Sequence, residues 1–181
     1  MRKIRQDPEQ AIVDEVRELN DPEVTALLHY IRSEPVSEKE YANGIRDKGR
    51  KPGTRLADFM KHPNAVEGQL KRWHVIALRL YTTSAYARIN GPLRDLKRKR
   101  AKRPHPLAAC VISIEEGIKR LRNVISHARA AEKQAGVDRG QITLWRGLKA
   151  VHAHKDFILF GGAELAPMST TSYFKVAVAY A

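Results

Sequence analysis

The hydrophobic period changes once along this chain, near Gln141, and that change bounds what it can fold into. Upstream, apolar residues recur at helical spacing: Val24, Leu27, Leu28 and Ile31, then Leu70, Trp73, Ile76, Ala77 and Leu80, then Val111, Ile114, Ile118, Leu121 and Ile125. Such stripes are the core-facing sides of helices. Downstream, Ile142, Leu144, Arg146 and Leu148 alternate with Thr143, Trp145 and Gly147, the period of a half-buried strand. Phe157–Phe160 is a short apolar run, read as a buried strand. Helices first and strands late predict an α+β fold, with its sheet at the C-terminal end.

Punctuation refines this outline. Asn20-Asp21-Pro22 is a helix start with proline just inside it. A second helix is predicted over about 65–81, a third from near Leu107, and a last helical stretch over about 172–181. Residues 41–53 are turn-rich, with Asn43-Gly44 and Pro52-Gly53. The predicted organisation is an N-terminal helical region, 1–64, followed by a domain at 65–181.

Charge is unevenly placed. The net charge is +13, yet residues 1–60 carry 11 basic and 12 acidic side chains, while residues 61–140 carry 18 and 6. The middle of the chain therefore holds nearly the whole positive field, which attracts polyanions. Its densest part is Arg94–Arg103, where Arg94, Lys97, Arg98, Lys99, Arg100, Lys102 and Arg103 crowd around one acid, Asp95. Three readings stand: a solvated loop, a contact for nucleic acid or an acidic partner, or a nuclear-localisation patch. Aromatic side chains are not interleaved with these cations, so a stacking platform for single strands is not supported.

Other classes are disfavoured. At 181 residues the chain makes one domain, at most with an appendage. Its single cysteine, Cys110, excludes a disulfide framework within this chain, and its place in the third helix reads as a partly buried filler. No apolar run approaches the ~18 residues of a membrane span. Basic residues at the start have no apolar run behind them, so no secretory signal is expected and the compartment is cytoplasmic by default. His152 and His154 form an H-x-H with Asp156 nearby, too few ligands for a zinc centre. Gly161-Gly162 is not followed by the Lys-Ser/Thr of a phosphate loop.

Two elements carry chemistry. By alternation, Arg146 shares a face with Ile142, Leu144 and Leu148. A guanidinium on an apolar face needs a partner: either a structural carboxylate or an anionic ligand. Gly147 beside it leaves room for close backbone approach. Ser169-Thr170-Thr171 is either a helix cap for the segment near Ser172 or a hydroxyl placed to orient a catalytic carboxylate.

In order, three stretches resemble the mono-ADP-ribosyltransferases of the arginine-serine-glutamate class. They are Ala77–Arg94, with its Tyr81-Thr-Thr and Ile89-Asn90; Leu144-Trp-Arg-Gly147; and Gly161–Thr171, ending in Met-Ser-Thr-Thr. The resemblance implies a helical part followed by the first strands of an NAD-binding sheet, with NAD as substrate and a protein acceptor, arginine by the family's habit. It implies that Arg146 and Ser169 are the catalytic pair, facing one cleft. Gly147, Thr170, Thr171 and Tyr81 would then help to bind NAD. The family's Glu-x-Glu lies on a strand beyond the serine motif, and this sequence has no Asp or Glu after Glu164. The expectation is a C-terminally truncated transferase, with a degenerate relative that keeps the fold as the alternative.

Overall fold

The computed structural model describes residues 7–33, 54–136, 143–147, 155–161 and 163–179. By density of internal contacts the chain divides into two units, Met1–Ala131 and Glu132–Ala181.

The first unit is helical because its sequence supplies starts, stops and apolar stripes in register. Helix α1 (Pro8–Leu19) has Pro8 at its first position and Asp7 as cap, accepting the Glu9 N–H at 3.3 Å. It ends at Asn20, whose left-handed φ of 52° is one that asparagine tolerates better than most residues. Helix α2 (Pro22–Arg32) starts as the sequence predicts: Pro22 sits at N1, and the Asp21 carboxylate accepts from Glu23 and Val24. Two short helices, α3 (Leu56–Met60) and α4 (Pro63–Glu67), lead into α5 (Arg72–Tyr81). The predicted helix over 65–81 is thus broken. Gln69 takes a left-handed φ of 50°, and Leu70 is buried in the break.

Helix α5 is the centre of the packing. It lies against α1, α2, α3 and α6 (Tyr86–Arg94). Val75, Ile76, Ala77 and Leu80 are buried in one core with Ile12, Val16, Leu28 and Ile31 from α1 and α2. Residues on both sides of position 64 therefore contribute to it. Helix α7 (Leu96–Arg100) follows directly, and α8 (Ala108–Gln134) is the long element.

The seam of α8 differs from the predicted stripe. Leu107, just ahead of the helix, is buried, as are Cys110, Ile114, Gly117 and Val124, whereas Ile118 and Ile125 are 45% and 52% exposed. Steps of three, four and three still apply, but the face is turned. Gly117 explains this: a Cβ there would lie 3.0 Å from Leu78 Cδ1 and 3.5 Å from His74 Cβ. The close approach to α5 selects a residue that carries no hydrophobic signal. Gly117→Leu should therefore destabilise the protein by about 1–3 kcal/mol through overpacking. In Gly117→Ala the small clash is offset by a helix-propensity gain of about 1 kcal/mol. Urea denaturation of the two variants checks the difference.

The start of α8 is held from a distance. Glu15, on α1, accepts the Ala109 N–H at 2.7 and 2.9 Å and the Cys110 N–H at 3.3 Å. Burial pushes the Glu15 carboxyl above its ordinary range, opposed by these N–H groups and by His105. A carboxylate at a helix N-terminus also meets the positive end of the helix dipole.

The α+β prediction is overturned. Helix dominates, and among the described residues there is no strand and no sheet. The transferase-like sheet implied by the resemblance is therefore absent from them as well. Alternation over 142–148 does not suffice for a strand, because a strand also needs neighbouring backbones to pair with. Among the described residues of this stretch only Trp145 makes such a pair, a single antiparallel bridge to Thr171. Ile142 and Leu148 lie outside the described residues, and Leu144 is exposed. Phe157–Phe160, read as a buried strand, instead ends helix α9 (Lys155–Phe160), with Leu159 73% and Phe160 84% exposed. Four apolar residues in a row do not separate strand from helix, and Asp156 in the first turn favours the helix. Helix α10 (Phe174–Ala179) falls within the predicted last helical stretch.

Candidate functional site

The second unit brings together the two short motifs singled out in its sequence. Trp145 donates its N–H to the Thr171 carbonyl at 2.7 Å, and Thr171 donates back at 2.9 Å. This is the hydrogen-bonded pair of an antiparallel ladder. The Trp145 ring also meets Phe174 edge-on, with centroids 4.9 Å apart, an arrangement that adds about 0.5–1.5 kcal/mol beyond burial. The Thr171 hydroxyl accepts the Tyr173 N–H at 3.1 Å, a local turn just ahead of α10. This hydroxyl therefore holds a turn ahead of the helix, not the helix cap expected of the Ser-Thr-Thr run.

Arg146 has a carboxylate partner. Its Nη1 lies 3.4 Å from Glu164 Oε2, and the two side chains are 25% and 29% exposed. The other Glu164 oxygen accepts the Ala166 N–H at 3.1 Å, which ties it to the segment leading into Ser169. The structural reading of Arg146 is therefore met in this structure. One long, single contact still leaves most of the five guanidinium donors available to a phosphate.

The remaining candidates are placed as follows. Gly147 is half-buried next to Arg146, while Ser169 and Thr170 are exposed. Continued from the bridge, the register sets Arg146 level with Thr170 and Gly147 level with Ser169. On a fully extended pair, Arg146 and Ser169 would then project to opposite faces, so a shared cleft requires the chain to turn between Ser169 and Thr171. Tyr81 belongs to the first unit, at the end of α5, and its hydroxyl accepts from Asn90 Nδ2 at 3.4 Å. The bridge and the Glu164 contact were not visible in the sequence, since both join residues far apart along it.

His152 and His154 lie outside the described residues. Among those described, no group of three or more histidine, cysteine or acidic side chains is placed to hold a metal. A cavity of about 320 Å³ in the first unit is lined by Glu23, Val24, Ser84, Tyr86 and Arg88. Its charged groups are engaged: Glu23 accepts from Ser84, and Arg88 pairs with Asp21 at 2.7 Å. No described helix is long and apolar enough to cross a membrane.

Cys110, expected to be partly buried, is fully enclosed. Burial, and then the nearby Glu15 charge, push its thiol up to about 12. At pH 8 the folded protein should leave Cys110 unlabelled by a thiolate-seeking disulfide reagent, with one thiol titrating promptly in denaturant. Prompt labelling of the folded chain would contradict the packing around α8.

No known protein family, curated protein or solved structure matches this chain.

Proposed function

We propose that the chain carries the NAD-holding part of a mono-ADP-ribosyltransferase whose acceptor is a protein, with arginine as the acceptor side chain. In this reaction the bond between nicotinamide and the ribose anomeric carbon breaks, and a bond from that carbon to the acceptor nitrogen forms. Nicotinamide leaves, taking the bonding pair, and the acceptor nitrogen gives up a proton to solvent. The observation that carries the reading is the Trp145–Thr171 bridge. It pairs the stretch bearing Arg146 with the stretch bearing Ser169, the two stretches whose resemblance to the family rests on a named catalytic residue.

In this reading Arg146 grips a phosphate or ribose oxygen of NAD, for which a planar fork of donors is suited. Ser169, exposed on the partner segment, is free to reach a ligand or a carboxylate. The positive charge that develops on the ribose needs a carboxylate beneath it, and no acidic residue follows Glu164 in this sequence.

The test compares residues 1–181 with the same chain continued through any in-frame Glu-x-Glu that follows. Release of labelled nicotinamide from NAD is expected from the longer chain only. Robust turnover from residues 1–181 alone would show that the carboxylate the reaction needs lies within these residues.

A further inference from the structure

The basic run is a separate surface, and the Arg146 reading does not use it. In the structure it is ordered into a ridge. Asp95 turns its carboxylate onto the start of α7, where it accepts the Arg98 N–H at 3.0 Å. Arg98 reaches the Pro104 carbonyl at 3.1 Å through Nε and 2.6 Å through Nη2. Lys102 takes a left-handed φ of 51°, and the Arg103 N–H bonds back to the Arg98 carbonyl at 3.2 Å. The run is therefore a short helix closed by a turn, and not the solvated loop that was one of its three sequence readings.

Five cations remain on this ridge: Lys97, Lys99, Arg100, Lys102 and Arg103. All are exposed, and none pairs with a carboxylate among the described residues. The contrast lies within the same unit. There Arg17, Arg32, Arg72, Arg88, Lys119 and Arg120 each face an acid at 2.6–3.2 Å. Lys61, Lys71, Arg122, Arg129 and Lys133 also lack a carboxylate partner among the described residues, but the α7 ridge gathers five such cations within seven positions.

We infer that this ridge binds the phosphate backbone of double-stranded nucleic acid without reading its sequence. The chemistry favours that partner over the other polyanions. A membrane surface would call for a helix with an extended apolar face, and α7 offers only Leu96. A protein interface is anchored by central aromatic or apolar side chains, which the ridge lacks. Single strands are held by aromatic stacking, and no aromatic lies between Arg94 and Arg103. What remains is dense charge at close spacing. Lys97 to Arg103 spans on the order of 10 Å, a length over which a duplex presents about six phosphates.

Counterion release fixes the expected signature. With about 0.9 counterions released per phosphate neutralised, five contacts lose on the order of 10²–10³-fold in affinity between 50 and 200 mM salt. The experiment measures anisotropy of a labelled 20-base-pair DNA duplex titrated with the full chain across that range. Parallel arms use a 20-nucleotide single strand of thymidylate, polyglutamate, and vesicles of 3:1 phosphatidylcholine and phosphatidylserine. Neutralising Lys97, Lys99, Arg100 and Lys102 to Gln should cut the salt effect on duplex binding to less than about tenfold. Arg17→Gln with Lys119→Gln, at two cations that already face acids, should leave it nearly unchanged. Lys102→Glu with Arg103→Glu, outside the helix, should weaken binding in the same direction whatever the fate of α7. An unchanged salt dependence in both ridge variants would overturn the inference. So would polyglutamate, vesicles or the single strand binding as tightly as the duplex.

Discussion

Leu80→Ala should lower the stability of the helical unit by about 3–4 kcal/mol, in the upper part of the ~2–5 kcal/mol range for such truncations. Leu80 is fully buried on α5, the helix that α1, α2, α3 and α6 all pack against. The cost has two parts: the lost transfer of the removed carbons, and the cavity that several helices would have to move together to fill. A domain of this size is stable by only about 5–15 kcal/mol in all, so one substitution removes a large share. In urea, with a slope of about 1–3 kcal/mol per molar, the midpoint should fall by one molar or more. Val66→Ala is the control. That side chain is 62% exposed, and its loss should stay within about 0.5 kcal/mol. A cost below 1 kcal/mol at Leu80 would mean that the core is not centred on α5.

In a chain continued through a Glu-x-Glu, Arg146→Ala should reduce nicotinamide release by roughly 10²-fold, the order lost when a contact that positions the substrate is removed. The same variant in residues 1–181 should abolish whatever weak NAD binding the shorter chain shows. The arginine's contact with the ligand does not require the glutamate, so binding and turnover separate cleanly. Ser169→Ala is a second probe. If the serine orients the carboxylate, it should lower turnover with little change in NAD binding. Turnover undiminished in Arg146→Ala would remove the basis for the transferase reading. The Glu164 contact would then stand as a purely structural ion pair.

Local signals in the sequence were legible where the chemistry is local. Asp21 and Pro22 announced α2, and the stripe through Ile76 and Leu80 marked the buried face of α5. The stripe on α8 was misplaced by a turn of the helix face, because its seam uses Cys110 and Gly117. Small residues that permit close approach leave no mark in a hydrophobic pattern. The sheet was misread for another reason. Period-two alternation describes one strand's two faces, whereas a sheet depends on partners that no local pattern reveals. At the candidate site, Arg146, Ser169 and their neighbours could be named in advance, but not that Glu164 would be the residue facing Arg146. The basic run was plain in composition, while its order as a helix rested on Asp95 and Pro104, two contacts visible only in three dimensions.

The long reach of Glu15 has a consequence for how the protein is made. During synthesis α1 leaves the ribosome well before Ala109 and Cys110, whose N–H groups its carboxylate receives, 94 and 95 positions later. At about 5–20 residues per second, that interval is roughly 5–20 s. Until the start of α8 emerges, the Glu15 carboxylate has no reason to leave water, and the α1 face around it stays open to other partners. The nascent chain therefore waits, with an ionised group on α1, for a helix made much later. A chaperone or an early folding error would find its opening in that interval.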